Sequence, residues 1–120
     1  MIKIQSFASL PWSSKRTGKV YSLALGYPKN VGVRNRVSCL APTWKLVTAY
    51  KKRQIDEAEY TAQYRQLIKQ RWAAVKRWLD SLDADRDMYL CCWERTGFCH
   101  RFLVAKLISK HRPDIQLRIA

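Results

Sequence analysis

The residues best suited to chemistry lie close together in the last third of the chain: Cys92-Trp93-Glu94, then Gly97, then Cys99-His100-Arg101. A thiol in the first turn of a helix meets unpaired backbone N–H groups, and that positive field stabilises a thiolate and attracts anions. On this reading Cys99 is the nucleophile and the most reactive thiol. His100 is its general base or acid, and Arg101 or Arg95 holds a phosphate or carboxylate. Glu94 orients a base or binds a hydroxyl. Cys91 and Cys92 are neighbours in a strand and point to opposite faces, so one is a core residue and the other is available for chemistry. A purely structural reading of the same residues stays open: a buried small side chain, a satisfied ring and a salt-bridging cation.

Spacing narrows the chemistry. A phosphatase-type loop needs an arginine six residues after its cysteine, and that position holds Gly97, Phe98 or Ala105 after Cys91, Cys92 or Cys99. Zinc needs four ligands, whereas Cys92, Cys99 and His100 offer three at spacings unlike those of ribbons or fingers. Neither a metal nor a cofactor is therefore expected.

These residues must be placed by a strand that ends at a helix. Met88-Tyr89-Leu90-Cys91-Cys92-Trp93 is an apolar run of strand length, of the kind covered on both faces in a parallel sheet. The apolar spacing from Cys99 to about His111 is helical, and Pro113 stops it. Residues 2–7 and 19–25 read as earlier strands, and residues 115–119 as a last one. Residues 26–38, with Pro28, Asn30 and Gly32, read as a loop displaying Lys29, Arg34 and Arg36. Thr43 caps a short helix carrying Trp44, Leu46, Val47 and Tyr50. A longer one is predicted over residues 56–82, with acidic residues at its start and Tyr60, Tyr64, Leu67, Ile68, Val75, Trp78, Leu79 and Leu82 as the stripe that packs on the sheet. The order implies right-handed crossovers in a single α/β domain over residues 1–120, with a short, mostly parallel sheet flanked by helices.

Composition is consistent with that plan. At 120 residues and 48% hydrophobic, the chain can fill one core, and with 4 Gly and 4 Pro it is neither collagen-like nor low-complexity. It lacks a signal peptide and any apolar run of membrane-spanning length, so a soluble cytoplasmic protein with reduced thiols is expected. The formal net charge is +14, and no acidic residue precedes Asp56, so residues 1–55 carry +11 and residues 56–120 carry +3. Charge of this size and asymmetry points to an anionic partner, either nucleic acid or a small phosphorylated compound. An acidic partner protein fits the same charge. Oligomeric state leaves no mark in the sequence.

Leu90-Cys91-Cys92-Trp93-Glu94 followed by Cys99-His100-Arg101 and an apolar helix resembles the C-terminal signature of the domain of unknown function 488 (DUF488) family, a group of small, mostly prokaryotic proteins. Leu40-Ala41-Pro42-Thr43, Leu46, Tyr50, Tyr60 and Tyr64 resemble an upstream stretch of the same family. Tyr27-Pro28-Lys29 stands where many members have aromatic-Pro-Arg, with Lys in place of Arg and no preceding Asp. The resemblance covers most of residues 39–108. It implies a small α/β fold and a site built from Cys92, Glu94, Cys99, His100 and Arg101, and it names no substrate.

Two functions follow. One is a thiol-dependent enzyme or sensor that binds a small phosphate- or nucleotide-like ligand at the mouth formed by residues 97–101, helped by Arg95, Lys29, Arg34 and Arg36. The other is a basic nucleic-acid-binding module in which the cysteines are structural and Trp12, Tyr21 and Tyr27 interleave with the cations; no helix-turn-helix, finger or ribonucleoprotein motif accompanies it.

Overall fold

Alternation of short apolar strands with amphipathic helices produces a parallel sheet. The computed structural model describes residues 1–26, 28, 35–95 and 97–120. Among these, strands β1 (Ile2–Ser6), β2 (Lys19–Ser22), β3 (Asn35–Arg36), β4 (Met88–Cys92) and β5 (Leu117–Ile119) pair in the order β3-β2-β4-β1-β5, and every pairing is parallel. The apolar run at β4 takes the centre, as expected. Its register sets Ser6 beside Cys92 and Ser22 beside Cys91, so the carboxyl ends of β1, β2 and β4 finish level. No described helix is long and apolar enough to cross a membrane.

Helices α1 (Trp44–Lys51), α2 (Glu57–Gln70), α3 (Trp72–Ser81) and α4 (Arg101–His111) all bury residues in one cluster with Ile2, Ile4 and Leu90. They therefore cover one face of the sheet. The other face is closed by the segment after β1, where Phe7 and Leu10 pack with Val20, Tyr89 and Cys91. The expected coverage of β4 on both faces holds, but helices supply only one side. Right-handed crossovers explain the division: the connection from β1 to β2 runs toward β3, whereas those entering β4 and β5 run the opposite way and lie on the opposite face.

Local sequence accounts for the helix starts. Thr43 Oγ1 accepts from the Leu46 amide at 3.1 Å, and Asp56 Oδ1 accepts from the Glu59 amide at 2.8 Å, with Glu57 and Glu59 in the first turn of α2. The single helix predicted over residues 56–82 is instead two, broken at Arg71 (φ −99°, ψ 15°). The cause is tertiary. The Arg71 guanidinium reaches back to the carbonyls of Ala41 at 2.6 Å and Cys39 at 3.3 Å, acceptors left over where a 3-10 turn at Ser38–Leu40 ends. Three further boundaries differ from the sequence reading. β2 stops at Ser22, the 26–38 loop contributes β3, and α4 starts at Arg101, which leaves Cys99 outside the first turn.

Gly18 is required by a close approach. A Cβ there would lie 2.0 Å from the Asp87 carbonyl oxygen, where the chain enters β2 beside β4. Gly18→Ala should cost about 1 to 3 kcal/mol by forcing the two backbones apart, read as a lower melting temperature.

Candidate active site

Ligands of open parallel sheets sit beyond the carboxyl ends of strands where neighbouring connections leave in opposite directions. Here that point lies between β2, whose chain goes out toward β3, and β4, whose chain goes through α4 to β5. A pocket of about 360 Å³ occupies it. Ala24, Leu25 and Gly26 after β2 form one side, and Trp93 and Glu94 after β4 form another. Trp44, Val47, Tyr50 and Lys51 of α1, with Tyr60 of α2, complete the wall, and Phe98, Cys99 and His100 lie at its inner end.

The aromatic walls brace one another. Tyr50, Tyr60 and Phe98 form a triangle with centroid separations of 5.3 to 5.7 Å. Burial, reinforced by the neighbouring Cys99 and Glu94, pushes the Tyr60 phenol well above the ordinary tyrosine range, so it stays protonated and can act as a donor.

All five residues of the Cys-x-Glu and Cys-His-Arg segments come together. Cys99 Sγ lies 2.8 Å from Cys92 Sγ, 3.2 Å from Glu94 Oε2 and 3.8 Å from His100 Nδ1. His100 Nε2 lies 2.8 Å from the Leu23 carbonyl oxygen. A carbonyl only accepts, so Nε2 carries a proton, and in the tautomer protonated there alone Nδ1 turns its lone pair toward Cys99. Tyr64 packs on the imidazole at 5.5 Å and is itself fixed by donating to the Leu40 carbonyl at 2.6 Å. Of Cys91 and Cys92, Cys91 is the core residue and Cys92 faces the site.

The charge on the thiol pair differs from the sequence expectation. Arg101 Nη1 donates to Cys92 Sγ at 3.1 Å and to the Glu94 carbonyl at 2.8 Å, and Nε donates to the Ala120 carbonyl at 3.3 Å. The hydrogen bond from Cys99, joined by that guanidinium, holds the Cys92 thiol below its ordinary range against the effect of burial. The same hydrogen bond, with burial, pushes the Cys99 thiol far up. Of the two thiols Cys92 is therefore the one that gives up its proton first, and Cys99 is the one that holds it. Cys99 stands one residue before the helix cap, His100, and its carbonyl accepts from the Phe102 amide at 3.2 Å.

Arg101 is likewise turned inward. It is 2% exposed and its Nε and Nη1 donate to protein atoms, so its guanidinium is aimed at the end of β4 and at Ala120 rather than out of the mouth. Among the described residues Lys51 is the cation that lines the pocket, and the sequence reading gave it no role. Arg36 is exposed and donates to the carbonyl of Leu25, and Arg95 is exposed directly after Glu94. Lys29 and Arg34, also expected to bind the anion, lie outside the described residues, as does Tyr27.

Cys92 Sγ, a Glu94 carboxylate oxygen and Cys99 Sγ lie within 4.8 Å of one another, as metal ligands do. The fit is poor. Two sulfurs at about 2.3 Å on a tetrahedral ion stand roughly 3.8 Å apart, against 2.8 Å here, and the guanidinium places a fixed positive charge on Cys92.

A family model described as DUF488-N3a, the active DUF488-N3 subclade, matches residues 10–112. The match extends well to the N-terminal side of the Cys-x-Glu and Cys-His-Arg segments and takes in the connection from β1, β2 and all four helices. No curated protein matches the chain. No solved structure does either.

Proposed function

Since the chain belongs to the DUF488 family, in the subclade described as active, we propose that it is a thiol-dependent enzyme acting on a small anionic ligand, with Cys99 as nucleophile. One observation carries the reading: a thiol at the inner end of the pocket has three proton acceptors around it, Cys92 Sγ, Glu94 Oε2 and His100 Nδ1. A cysteine next to a base that a third group orients is the arrangement nucleophilic catalysis needs, with the Leu23 carbonyl as the orienting group here.

Cys99 is then activated by proton removal rather than by a depressed resting pKa. The Cys99 proton passes to His100 Nδ1 or to Glu94, the sulfur forms a bond to an electrophilic centre of the ligand, and the leaving group departs with that proton. Water displaces the sulfur in a second step and restores the thiol. Cys92, held by Arg101 Nη1, stands behind the nucleophile as the acceptor of the Cys99 hydrogen bond and takes no part in bond formation. Lys51, with Arg36 and Arg95 on adjoining segments, supplies the positive charge that an anionic ligand needs.

Alkylation by a small neutral haloacetamide, followed by mass spectrometry of each cysteine, tests the assignment. Cys99 should be modified in the native protein, and Glu94→Gln and His100→Gln should each slow it by tenfold or more, the low end of what a general base contributes. Modification confined to Cys39, or a Cys99 rate that both variants leave unchanged, would remove the nucleophile.

A further inference from the structure

We infer that the pocket receives a single base of a single-stranded nucleic acid, and that Trp44 and Trp93 stack on it or on its neighbours. The inference rests on the proposed reading of this pocket and identifies its small anionic ligand as one nucleotide within a strand. Trp44 is 69% exposed and Trp93 53% exposed, yet both line the pocket, one from the first turn of α1 and the other from the loop after β4. A free small molecule is normally enclosed over most of its surface, and its aromatic contacts are covered with it. Two tryptophans open to solvent at the rim instead offer flat faces to something that continues past the pocket. Base stacking on exposed aromatic rings is how single strands are held without a sequence code.

Charge points the same way. A free nucleotide needs one or two cations, whereas this chain carries a formal net charge of +14. Lys51 on α1 lines the pocket, and exposed cations adjoin its lining residues: Lys45 follows Trp44, Arg36 on β3 donates to the Leu25 carbonyl, and Arg95 follows Glu94. A polyanion that continues beyond the pocket can engage such dispersed charges, one phosphate at a time. The volume, about 360 Å³, is enough for one base with its sugar, and a base reaches such a pocket only when it is unpaired or drawn out of its stack. Inside, Tyr60 offers a phenol donor and Glu94 a carboxylate acceptor, the pair of groups that a heterocycle's ring nitrogens and carbonyls can use.

The test uses the full chain and three probes: an oligothymidylate of about twenty nucleotides, an abasic strand of the same length and charge, and thymidine monophosphate. Binding is followed by fluorescence anisotropy and tryptophan quenching across a salt series. The oligothymidylate should bind at least tenfold more tightly than the abasic strand and than the mononucleotide. Trp44→Ala and Trp93→Ala should each weaken it about fivefold to a hundredfold. Trp44 is largely exposed, so Trp44→Ala should melt like the wild type; Trp93 also meets Phe7 edge-on at 5.2 Å, so binding by Trp93→Ala is read well below its own melting temperature. Lys51→Glu should weaken the two strands alike. Equal binding of the abasic strand, tryptophan variants that bind as the wild type does, or a mononucleotide that matches the strand would each overturn the inference. Its failure is separable from failure of the enzyme reading. An unreactive Cys99 in a protein whose strand binding still depends on base and tryptophan removes only the nucleophile, and the converse pair of results removes only the strand.

Discussion

Replacing Arg101 with methionine should lower stability by about 3 to 5 kcal/mol and raise the Cys92 thiol pKa. The guanidinium is 2% exposed and joins three segments: the end of β4 through Cys92 Sγ, the loop after it through the Glu94 carbonyl, and the residue after β5 through the Ala120 carbonyl. Removing one member of a buried charged set leaves the others desolvated without compensation, which costs more than the set contributed. Methionine keeps much of the volume, so the loss reads electrostatics and hydrogen bonding rather than a cavity. The Phe102 ring, 4.6 Å from the guanidinium carbon, loses its cation contact as well. Thermal melting measures the stability, and titration of the ultraviolet thiolate absorbance measures the ionisation. Arg101→Lys should recover part of the Cys92 shift, because an ammonium restores the charge but cannot bridge three acceptors as the planar fork does. An Arg101→Met protein that melts like the wild type and titrates its thiols unchanged would show that the buried charge sustains neither the fold nor the lowered Cys92 pKa.

Much of this arrangement is written locally in the sequence. The apolar run at residues 88–93 can only be a buried strand in a chain this short, and the helical spacing after Cys99 then obliges the loop between them to carry Glu94 past the strand end. That is why five site residues are found together by reading one segment. Thr43 and Asp56 mark their helices by the same local logic. Arg101 shows where such logic stops, because an arginine early in a helix has the same sequence signature whether it reaches outward to an anion or inward to Cys92. The exchange of roles within the thiol pair follows from that inward turn. The break at Arg71 has no glycine or proline to announce it, since it is set by carbonyls some thirty positions earlier in the chain. The pocket wall was hidden for a related reason. Trp44, Tyr50, Tyr60 and Trp93 meet only after the crossover from β3 to β4 has folded α1 and α2 over the sheet, and until then Tyr60 looks like any other member of a core-facing stripe.

The other large effect expected is alkaline unfolding, in which Cys91 is the group to follow. It is fully buried on the second face of the sheet among Phe7, Val20 and Tyr89, and burial pushes its thiol from 9.0 up to about 12, with Arg16 pulling weakly the other way. A thiol whose folded pKa is raised stabilises the fold below its unfolded pKa and loses that contribution as pH rises toward the folded value. Between about pH 9 and pH 12 the unfolded chain therefore releases a proton that the folded one retains. At about 1.4 kcal/mol per unit, the three units amount to roughly 4 kcal/mol. Cys99, Tyr60 and Tyr64, all raised, act in the same direction. Cys92 has the opposite sign. Its lowered pKa adds stability as pH rises to the ordinary thiol value and adds nothing beyond it, so it opposes acid rather than base. Against a total stability of about 5 to 15 kcal/mol, the raised groups suffice to unfold the protein in base. Cys91→Ala should cost a small, pH-independent amount for the lost sulfur and make the fall above pH 9 shallower. In denaturant titrations collected at a series of pH values, the wild-type curve should fall faster above pH 9 and cross below that of the variant. Parallel curves would mean that Cys91 ionises as readily folded as unfolded, and that the second face of the sheet admits water to the middle of β4.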